Sequence, residues 1–459
     1  MMMKKILLIL IILSIFSIPG FATQLYVNKT DVSFGKYVNT GTNLTMLNLT
    51  FNLTGVNNIT IYQITVALNT TSGKNANETN LTVCAYETDL SNLLGCSGNW
   101  TNNQTNISFS TNMTVNNTNI SNMLIVAHLN TTVYTPLNFS LYIPANTSIE
   151  RNDTSVLVNG TFPISSEFTE VHDLHATAYV SPHYVDTNVV NQTIKLILNS
   201  TGRDNITFVE IKIPSVLPSE KVNGTIIETS GDFNTLHEND CTPTGNTCNY
   251  NSTTNIIRIN ISASDTIPDI KGLTLYILSN TSSSPSNSTF TVNISNQYLN
   301  TTATEASSGA LNVTTKQLLQ VTKQGIMKNS AVVNGTDYWL FNITFNLTAP
   351  VNGTLQFKMD NWTIPSNENI SMLLVNSSED YYAWIGTNLT TLRAQQPANS
   401  TNATDRTYIT NDYGEATHGL SISNLSSFIV YVKMIIPTNA PCCYPNWYTQ
   451  FWALFRVLP

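Results

Sequence analysis

The stretch Met46–Thr54, MLNLTFNLT, sets the pattern for the whole chain. Its leucine and phenylalanine side chains alternate with asparagine and threonine, a period of two that is typical of a β-strand with one buried and one solvent-facing side. An Asn-x-Ser/Thr glycosylation sequon fits this alternation, because the asparagine and the hydroxyl residue share the outer face while the middle residue points inward. The stretch therefore predicts a half-buried strand that carries glycan acceptors.

The same stretch returns twice along the chain. It reappears as Leu340–Thr348, LFNITFNLT, and more loosely as Thr193–Thr201, TIKLILNST, and the last sequon asparagines of the three copies are 147 residues apart. A second sequon begins six residues later in every copy, and two markers held in register over two periods indicate three tandem repeats. The N-glycosylation sites predicted from these copies are Asn48, Asn52, Asn58, Asn199, Asn205, Asn342, Asn346 and Asn352.

Each repeat consists of short alternating or apolar runs that are broken by glycine, asparagine and proline, without a long stretch of helical periodicity. The predicted fold class is all-β, with three tandem immunoglobulin-like β-sandwich repeats of about 147 residues; a jelly roll is the alternative sandwich. The predicted repeats cover residues 23–163, 171–310 and 315–459, with joins at Ile164–Glu170 and Ser307–Thr314.

The first residues predict export. Lys4 and Lys5 precede an apolar run, Ile6–Ile18, and small residues follow it, so residues 1–22 are predicted to be a signal peptide that is cleaved after Ala22. The apolar run is shorter than the roughly 20 residues that a membrane-spanning helix needs, and no later run reaches that length. We therefore expect an extracellular or cell-surface protein with no transmembrane segment in the mature chain.

The composition excludes one class of partner and indicates another. Charged residues make up 10% of the chain, against about 25% in ordinary soluble domains, and acids outnumber bases, which argues against nucleic acid as a partner. The chain contains 41 sequons, whereas its asparagine, serine and threonine content would give roughly 14 by chance. This excess predicts heavy N-glycosylation, in which N-linked glycans replace charge as the solubilising layer.

The cysteines fit an oxidising compartment. Cys84 with Cys96, and Cys241 with Cys248, are short-spaced pairs that predict two local disulfides, since their spacings do not match those of zinc ligands. Cys442 and Cys443 are adjacent and have no further partner, so a vicinal disulfide and an intersubunit disulfide both stay open.

Metal binding is a weaker possibility in three places. His172 and His175 lie near the first join and could hold a transition metal or calcium, although a solvated linker is the ordinary explanation. No cofactor is expected otherwise, except that structural calcium could bind two acidic loops without a known ligand spacing. These loops contain Asp232, Glu238 and Asp240 in one case and Asn411, Asp412 and Glu415 in the other.

No catalytic template is present in the sequence. It contains no Gly-x-Ser-x-Gly, His-Glu-x-x-His or phosphate-binding loop, and its few carboxylates do not recur with the period of 147 residues. The chain is therefore predicted not to be an enzyme.

The C-terminal stretch Trp447–Leu458, WYTQFWALFRVL, is rich in aromatic residues and has two interpretations. Repeats one and two each end on two successive strands, so the stretch could be the second such strand of repeat three. Alternatively, it could leave its own domain and add to the sheet of a neighbouring subunit, where Cys442 and Cys443 would lock the joint.

In its signal peptide, tandem β-sandwich repeats, few charges and sequons such as Asn48, Asn52, Asn342 and Asn346, the chain resembles archaeal surface-layer and related cell-surface glycoproteins. The resemblance covers the mature chain and implies a structural protein of a cell-surface layer or extracellular filament. Its partners would be itself or other envelope glycoproteins. The alternative is an adhesin or receptor ectodomain that binds carbohydrate or protein on another cell, which exposed rings at Trp362, Trp384 or Trp447 would favour.

Overall fold

The structure is a computed structural model. It describes residues 23–459 except 72, 228–232, 237–240, 243–246, 262–269, 308, 329–337, 350, 360–361, 365–366, 373–380, 387–405, 409–419, 423–426 and 436–450. The described residues are nearly all β-strand, and they form three successive groups of sheets.

The first group contains thirteen strands and one short α-helix, α1, at Ala76–Thr79. A 3-10 helix covers Asn146–Ser148. The strands are β1 Gln24–Thr30, β2 Tyr37–Asn39, β3 Thr42–Thr54, β4 Asn58–Thr70, β5 Thr82–Glu87, β6 Leu93–Cys96, β7 Gln104–Asn116, β8 Ser121–Leu129, β9 Leu137–Ile143, β10 Ile149–Arg151, β11 Leu157–Asn159, β12 Ile164–Ser165 and β13 Thr169–His172.

The second group contains fifteen strands. They are β14 Ala176–Ser181, β15 Tyr184–Val185, β16 Gln192–Ser200, β17 Phe208–Lys212, β18 Ser219–Ile227, β19 Phe233–Leu236, β20 Cys241–Thr242, β21 Cys248–Asn251, β22 Ile256–Asn260, β23 Gly272–Ser279, β24 Ser286–Thr289, β25 Thr291–Ser295, β26 Asn300–Thr302, β27 Thr304–Glu305 and β28 Asn312–Thr315.

The described part of the third group contains ten strands. They are β29 Leu319–Lys328, β30 Tyr338–Leu347, β31 Gly353–Met359, β32 Trp362–Ile364, β33 Asn367–Met372, β34 Tyr381–Gly386, β35 Arg406–Tyr408, β36 Leu420–Ile422, β37 Ser427–Ile435 and β38 Phe451–Val457.

The strand order identifies the fold as immunoglobulin-like. An immunoglobulin domain places its strands A, B, E and D in one sheet and C, F and G in the other. In the first group the first sheet contains β1-β3-β8-β5 and the second contains β4-β9-β13, which are A-B-E-D and C-F-G in chain order. The second group repeats this with β14-β16-β23-β18 and β17-β25-β26. The third has β29-β30-β37-β34 and, in the second sheet, β31-β38 for strands C and F.

The stretch that opened the sequence analysis is strand B of the first sandwich, β3. Leu47, Leu49, Phe51 and Leu53 are at most 1% exposed, so the predicted alternation is confirmed. Strand B lies between strands A and E in all three groups, and its inward residues in the third group, Ile343, Phe345 and Leu347, are likewise buried. The repeated stretch therefore supplies the central strand of the first sheet in each sandwich.

Extra strands between D and E distinguish these sandwiches from the simplest immunoglobulin domain. In the first group β6 extends the first sheet beyond strand D, and β7 pairs with strand C along the edge of the second sheet. The two predicted local disulfides fasten these insertions: Cys84 in strand D, β5, is bonded to Cys96 in the inserted β6, and Cys241 is bonded to Cys248 within the second insertion.

By compactness, the chain divides into two units. The first comprises the residues up to His175 together with Gly202–Asp204 and Gln297–Leu299. The second comprises Ala176–Thr201, Asn205–Asn296 and Asn300–Pro459, and so contains the sheets of the second and third groups. The predicted first join, Ile164–Glu170, contains β12 and the start of β13, both of which pair with β9.

Candidate functional site

The glycan acceptors lie where an oligosaccharide could reach them. The structure describes the exposure of 33 sequon asparagines, of which 22 are exposed, 11 are intermediate and none is buried. The alternation of strand B explains this for Asn52, which faces outward between the buried Phe51 and Leu53. The second sequon of each repeat lies close to strand C, since Asn58 begins β4 and Asn352 directly precedes β31.

Sequons are missing from particular stretches of the sequence. No sequon asparagine occurs between Asn159 and Asn191, between Asn312 and Asn334, or after Asn424. A fourth long interval, between Asn223 and Asn251, contains the second disulfide. The first interval contains β13 and β15, each of which is one strand of a short parallel pair, and the second contains the residues that follow the sequon Asn312 at the start of β28.

The first of these arrangements, the Asn39 clamp, joins the end of β2 to the segment after β13. The two strands are parallel, with Tyr37 opposite Glu170 and Asn39 opposite His172. The Asn39 side chain then donates from Nδ2 to the Leu174 carbonyl at 2.7 Å and accepts from the Leu174 N–H at 2.9 Å. Leu174 is completely buried, so the amide satisfies both of its backbone polar groups where water is excluded.

Asp173 strengthens the same clamp from its neighbouring position. Its carboxylate accepts from the Thr40 hydroxyl at 2.8 Å and from Arg203 Nε at 2.7 Å. Burial alone would raise the pKa of Asp173, but the hydrogen bonds from Arg203 and Thr40, with the positive charge of Arg203, hold that pKa below its ordinary value. Arg203 Nη2 also donates to the Val133 carbonyl at 2.6 Å. Arg203 therefore connects Asp173 to the loop that follows β8.

His172 lies at the centre of an aromatic and acidic cluster in the first unit. Its Nδ1 is 2.8 Å from Asp204 Oδ2, and its Nε2 is 3.3 Å from Glu170 Oε1 in an arrangement that makes no hydrogen bond. Its ring stacks on Tyr298 with 4.1 Å between the centroids and meets the edge of Tyr37. The side chain is 3% exposed.

The metal prediction at His172 and His175 receives no support from this geometry. His175 Nε2 lies 3.0 Å from both the hydroxyl and the carbonyl oxygen of Thr40. Within the described residues, no group of three or more His, Cys, Asp or Glu side chains is arranged to hold a metal ion. The metal site at His172 and His175 therefore stays a prediction.

The second arrangement, the Asp186 clamp, lies in the second unit at the entry to strand A of the third sandwich. Strands β15 and β28 are parallel, with Tyr184 opposite Thr314 and Val185 opposite Thr315. The Asp186 carboxylate accepts the N–H of Thr187 at 2.9 Å, of Leu318 at 3.0 Å and of Leu319 at 3.3 Å. Burial raises the pKa of Asp186, and these backbone N–H groups partly oppose the rise.

The two clamps occupy the same place in the repeat. Tyr37-Val38-Asn39-Thr40 and Tyr184-Val185-Asp186-Thr187 are 147 residues apart, the period of the strand B stretch. Sequence reasoning missed them, although this Tyr-Val-Asx-Thr motif at the known period was a signal that could have revealed them. Each motif grips a buried leucine, Leu174 or Leu318, just before the next sandwich begins.

The C-terminal stretch belongs to its own sandwich. Strand β38 is antiparallel to β31 over seven residues, from Gly353 opposite Val457 to Met359 opposite Phe451, and Phe455 and Val457 are buried in the core. The first interpretation, a second closing strand, is thus confirmed. The idea that the stretch leaves its own domain is wrong, because its inward residues complete the core there.

Several predicted sites fall outside the described residues. They are Cys442, Cys443, the two acidic loops and Trp447, together with the side chains of Trp362 and Trp384. The described residues also include no helix that is both long and apolar enough to cross a membrane.

Comparison with known proteins yields only distant likenesses. No family model and no curated protein matches the chain. The C-terminal domain of the Streptococcus pyogenes antigen I/II-family protein AspA matches with 9% identity, over 64% of this chain and 99% of that chain, at a TM-score of 0.24. The N-terminal domain of the Streptococcus gordonii adhesin Sgo0707 matches with 10% identity, over 59% of this chain and 61% of that chain, at a TM-score of 0.24. A marsupial T cell receptor matches with 9% identity, over 95% of this chain and 99% of that chain, at a TM-score of 0.17. Scores this low carry no argument about function, so the functional conclusion depends on the residues of this chain.

Proposed function

We propose that this protein is an exported, heavily N-glycosylated structural protein of a cell-surface layer or extracellular filament. The observation that carries the proposal is the placement of its sequons: of the 33 sequon asparagines whose exposure the structure describes, none is buried.

This placement is what a glycan-coated scaffold requires. A sandwich with 10% charged residues needs another hydrophilic layer, and glycans on outward strand positions supply it without entering the core. A glycan on a connecting segment would hinder the pairing of β2 with β13, because that pairing brings two backbones to within about 5 Å of each other. A coat on outward positions therefore supplies solubility and leaves the cores closed.

The links themselves favour a structural role. Both clamps bury a leucine and bond its backbone N–H with a side chain beside a parallel strand pair. The two disulfides staple the strands inserted between D and E, each stabilising the fold by about 2–4 kcal/mol. These features stabilise the modules and their links, and they provide no reactive group.

The partners of such a protein are further copies of itself or other envelope glycoproteins. The surface-layer resemblance supports this assignment, and the absence of catalytic motifs in the sequence agrees with it. The adhesin hypothesis is tested separately, because it requires that carbohydrate can stack on the aromatic ring of Trp362, Trp384 or Trp447.

The proposal is tested on protein purified from its native source. Glycopeptide mass spectrometry is expected to find glycans at a majority of the exposed asparagines and a mature N-terminus at Thr23. Electron microscopy of the same material is expected to show an ordered sheet or filament. Unmodified asparagines would overturn the glycan coat, and dispersed particles would overturn the structural role and make the adhesin the leading hypothesis.

A further inference from the structure

The outer face of the first sheet differs between the sandwiches along strand B. In the first and third sandwiches this face carries a sequon at its middle, Asn48-Leu49-Thr50 and Asn342-Ile343-Thr344. The residues at the same place in the second sandwich, 147 positions from each, are Lys195-Leu196-Ile197. The inward leucine is kept, whereas the outward asparagine and threonine are replaced by lysine and isoleucine. The second sandwich therefore lacks a glycan acceptor at the centre of this sheet.

Strand A shows the same difference between the first two sandwiches. Asn28 lies opposite Thr50 on strand B and begins the sequon Asn-Lys-Thr. The equivalent residue of the second sandwich is Tyr179, which lies opposite Ile197. Two neighbouring acceptors of the first sandwich are thus replaced by a lysine and a tyrosine in the second.

Strand E adds a second aromatic ring to this face. Tyr276 lies opposite Lys195 and is 39% exposed, and the Lys195 ammonium lies 5.8 Å from the centroid of its ring. Strands A, B and E of this sandwich contain no aspartate or glutamate, and Lys195 is their one charged residue. The tyrosine–lysine patch comprises Tyr179, Lys195, Ile197 and Tyr276. It presents a cation and aromatic rings on a chain whose formal charge is −8.

Sequons surround the tyrosine–lysine patch on three sides. Asn191 and Asn199 lie at the two ends of strand B, eight positions and roughly 26 Å apart. Asn223, on strand D, lies directly opposite Tyr276. Because strands A, B and E are each about 5 Å apart, the strip between these acceptors covers roughly 260 Å². A stable protein interface buries about 800 Å² on each partner, so the strip suits a thin chain better than a folded domain.

We propose that the tyrosine–lysine patch binds an acidic polysaccharide, a linear polymer of sugar acids that is separate from the glycans of this chain. The Lys195 ammonium pairs with a sugar carboxylate, and the nonpolar faces of the sugar rings pack on Tyr276 and Tyr179. The polymer lies along the strip from which glycans at Asn199 and Asn223 exclude a protein domain. The proposal rests on the glycan coat of the proposed function, because occupied sequons form the rim of the strip.

The lysine is the reason for an acidic rather than a neutral polymer. The chain holds 20 lysine and arginine residues against 28 acids, so its overall field repels an anion. A neutral polysaccharide would need the tyrosine rings alone, and an asparagine at position 195, as in the other two copies, would serve it equally well. Lys195 supplies a local attraction that only an anionic polymer uses.

The test is isothermal titration calorimetry of the full-length, secreted and glycosylated protein with a hexamer of galacturonic acid. We expect the hexamer to bind, and its affinity to fall with added salt and by about tenfold or more when its carboxyl groups are methyl-esterified. Lys195→Gln and Tyr276→Ala are each expected to weaken binding by about tenfold or more. Lys212→Gln is the matched control, because Lys212 is an exposed lysine on the other sheet of the same sandwich, and it should leave binding unchanged.

A second variant restores the sequon of the other copies. Lys195→Asn combined with Ile197→Thr gives strand B the outward residues that the first sandwich already carries, so we expect its melting temperature to change little. Glycopeptide mass spectrometry is expected to find a glycan at position 195, and calorimetry no binding of the hexamer. Retained binding by the glycosylated variant would place the polysaccharide elsewhere.

Three results would overturn the proposal. They are no binding of the hexamer at millimolar concentration, equal binding of the esterified hexamer, and equal weakening by Lys212→Gln and Lys195→Gln. Binding only to the released N-glycans of this protein, or only to a second copy of it, would also exclude the polysaccharide as the occupant. Glycan mapping distinguishes a failure here from a failure of the proposed function: occupied sequons without hexamer binding refute the patch alone, whereas unmodified asparagines refute the coat.

Discussion

The Asn39 and Asp186 clamps occupy equivalent positions in two repeats but solve the same problem with different atoms. At the first, Leu174 presents both its N–H and its carbonyl, and the Asn39 side-chain amide accepts from the one and donates to the other. At the second, three backbone N–H groups converge, and a carboxylate with no donor accepts all of them. The residue type follows from the backbone groups that it must satisfy, while the strand pairing beneath it is the same.

The difference has an electrostatic consequence. The Asn39 clamp contains a neutral amide and leaves its charge to Asp173, which Arg203 and Thr40 stabilise. The Asp186 clamp buries its carboxylate with backbone N–H groups alone among the contacts described. At neutral pH the Asn39 side chain is therefore expected to carry no desolvation penalty for a charge, whereas Asp186 keeps a carboxylate charge in a poorly solvated place.

The largest expected effect comes from removing the buried leucine of the Asp186 clamp. Leu318→Ala deletes a fully buried side chain of the third core and is expected to lower the free energy of unfolding of the second unit by about 2–5 kcal/mol. Chemical denaturation followed by tryptophan fluorescence measures it. Ile326→Ala, at an exposed position, is the control and should change little; an equal loss in both variants would show that burial of Leu318 is not the cause.

Breaking the amide of the first clamp should cost less. Asn39→Ala leaves the buried N–H and carbonyl of Leu174 without their partner, and we expect a loss of about 1–3 kcal/mol in the first unit. Amide hydrogen exchange at Leu174 reports the loss directly. Asn57→Ala, at an exposed asparagine outside any sequon, is the matched control. If the Leu174 N–H stays protected from exchange in Asn39→Ala, the Asn39 side chain does not stabilise this segment.

Acidification should affect the two clamps in opposite directions. Because the pKa of Asp173 is lowered, its contribution to stability is present above the ordinary aspartate value of 3.8 and is lost as pH falls through the lowered pKa. Because the pKa of Asp186 is raised, its contribution is fully present below 3.8 and is lost as pH rises through the raised pKa.

Hydrogen exchange at Leu174 and Leu318 between pH 3 and pH 7, corrected for intrinsic rates, checks this. On acidification, protection is expected to fall at Leu174 and to rise at Leu318. Asp173→Asn and Asp186→Asn should each flatten only their own profile. Parallel profiles at the two leucines would contradict the assignment of either shift.

The sequence predicted the features that depend on local pattern. Strand B follows from alternation alone, and the Cys84–Cys96 disulfide from a short spacing in an oxidising compartment. The place of β38 could be anticipated because repeats one and two also carry two successive strands near their ends, β8 then β9 and β23 then β25.

The clamps could not be predicted in the same way. Each joins a side chain to backbone groups more than 130 residues away, and hydropathy carries no information about such a bond. Their Tyr-Val-Asx-Thr motif is too short to be noticed without the period of the repeat.

The smallest expected effect comes from Asp186→Asn, and its comparison with the reverse exchange, Asn39→Asp, tests the difference between the clamps most closely. Asp186→Asn removes a buried charge but replaces the oxygen that accepts from Leu319 at 3.3 Å by an NH₂ group, so the gain and the loss should nearly cancel at neutral pH, within about 1 kcal/mol. Asn39→Asp has no such compensation, because a carboxylate oxygen would face the Leu174 carbonyl at the 2.7 Å now occupied by a hydrogen bond. Measuring the free energy of unfolding of each variant at pH 7 compares the two losses. Thr187→Ser is the control, because it keeps the backbone N–H of residue 187 that donates to Asp186. A loss from Asp186→Asn as large as that from Asn39→Asp would mean that the carboxylate is held for its charge, and not for the number of N–H groups that it accepts.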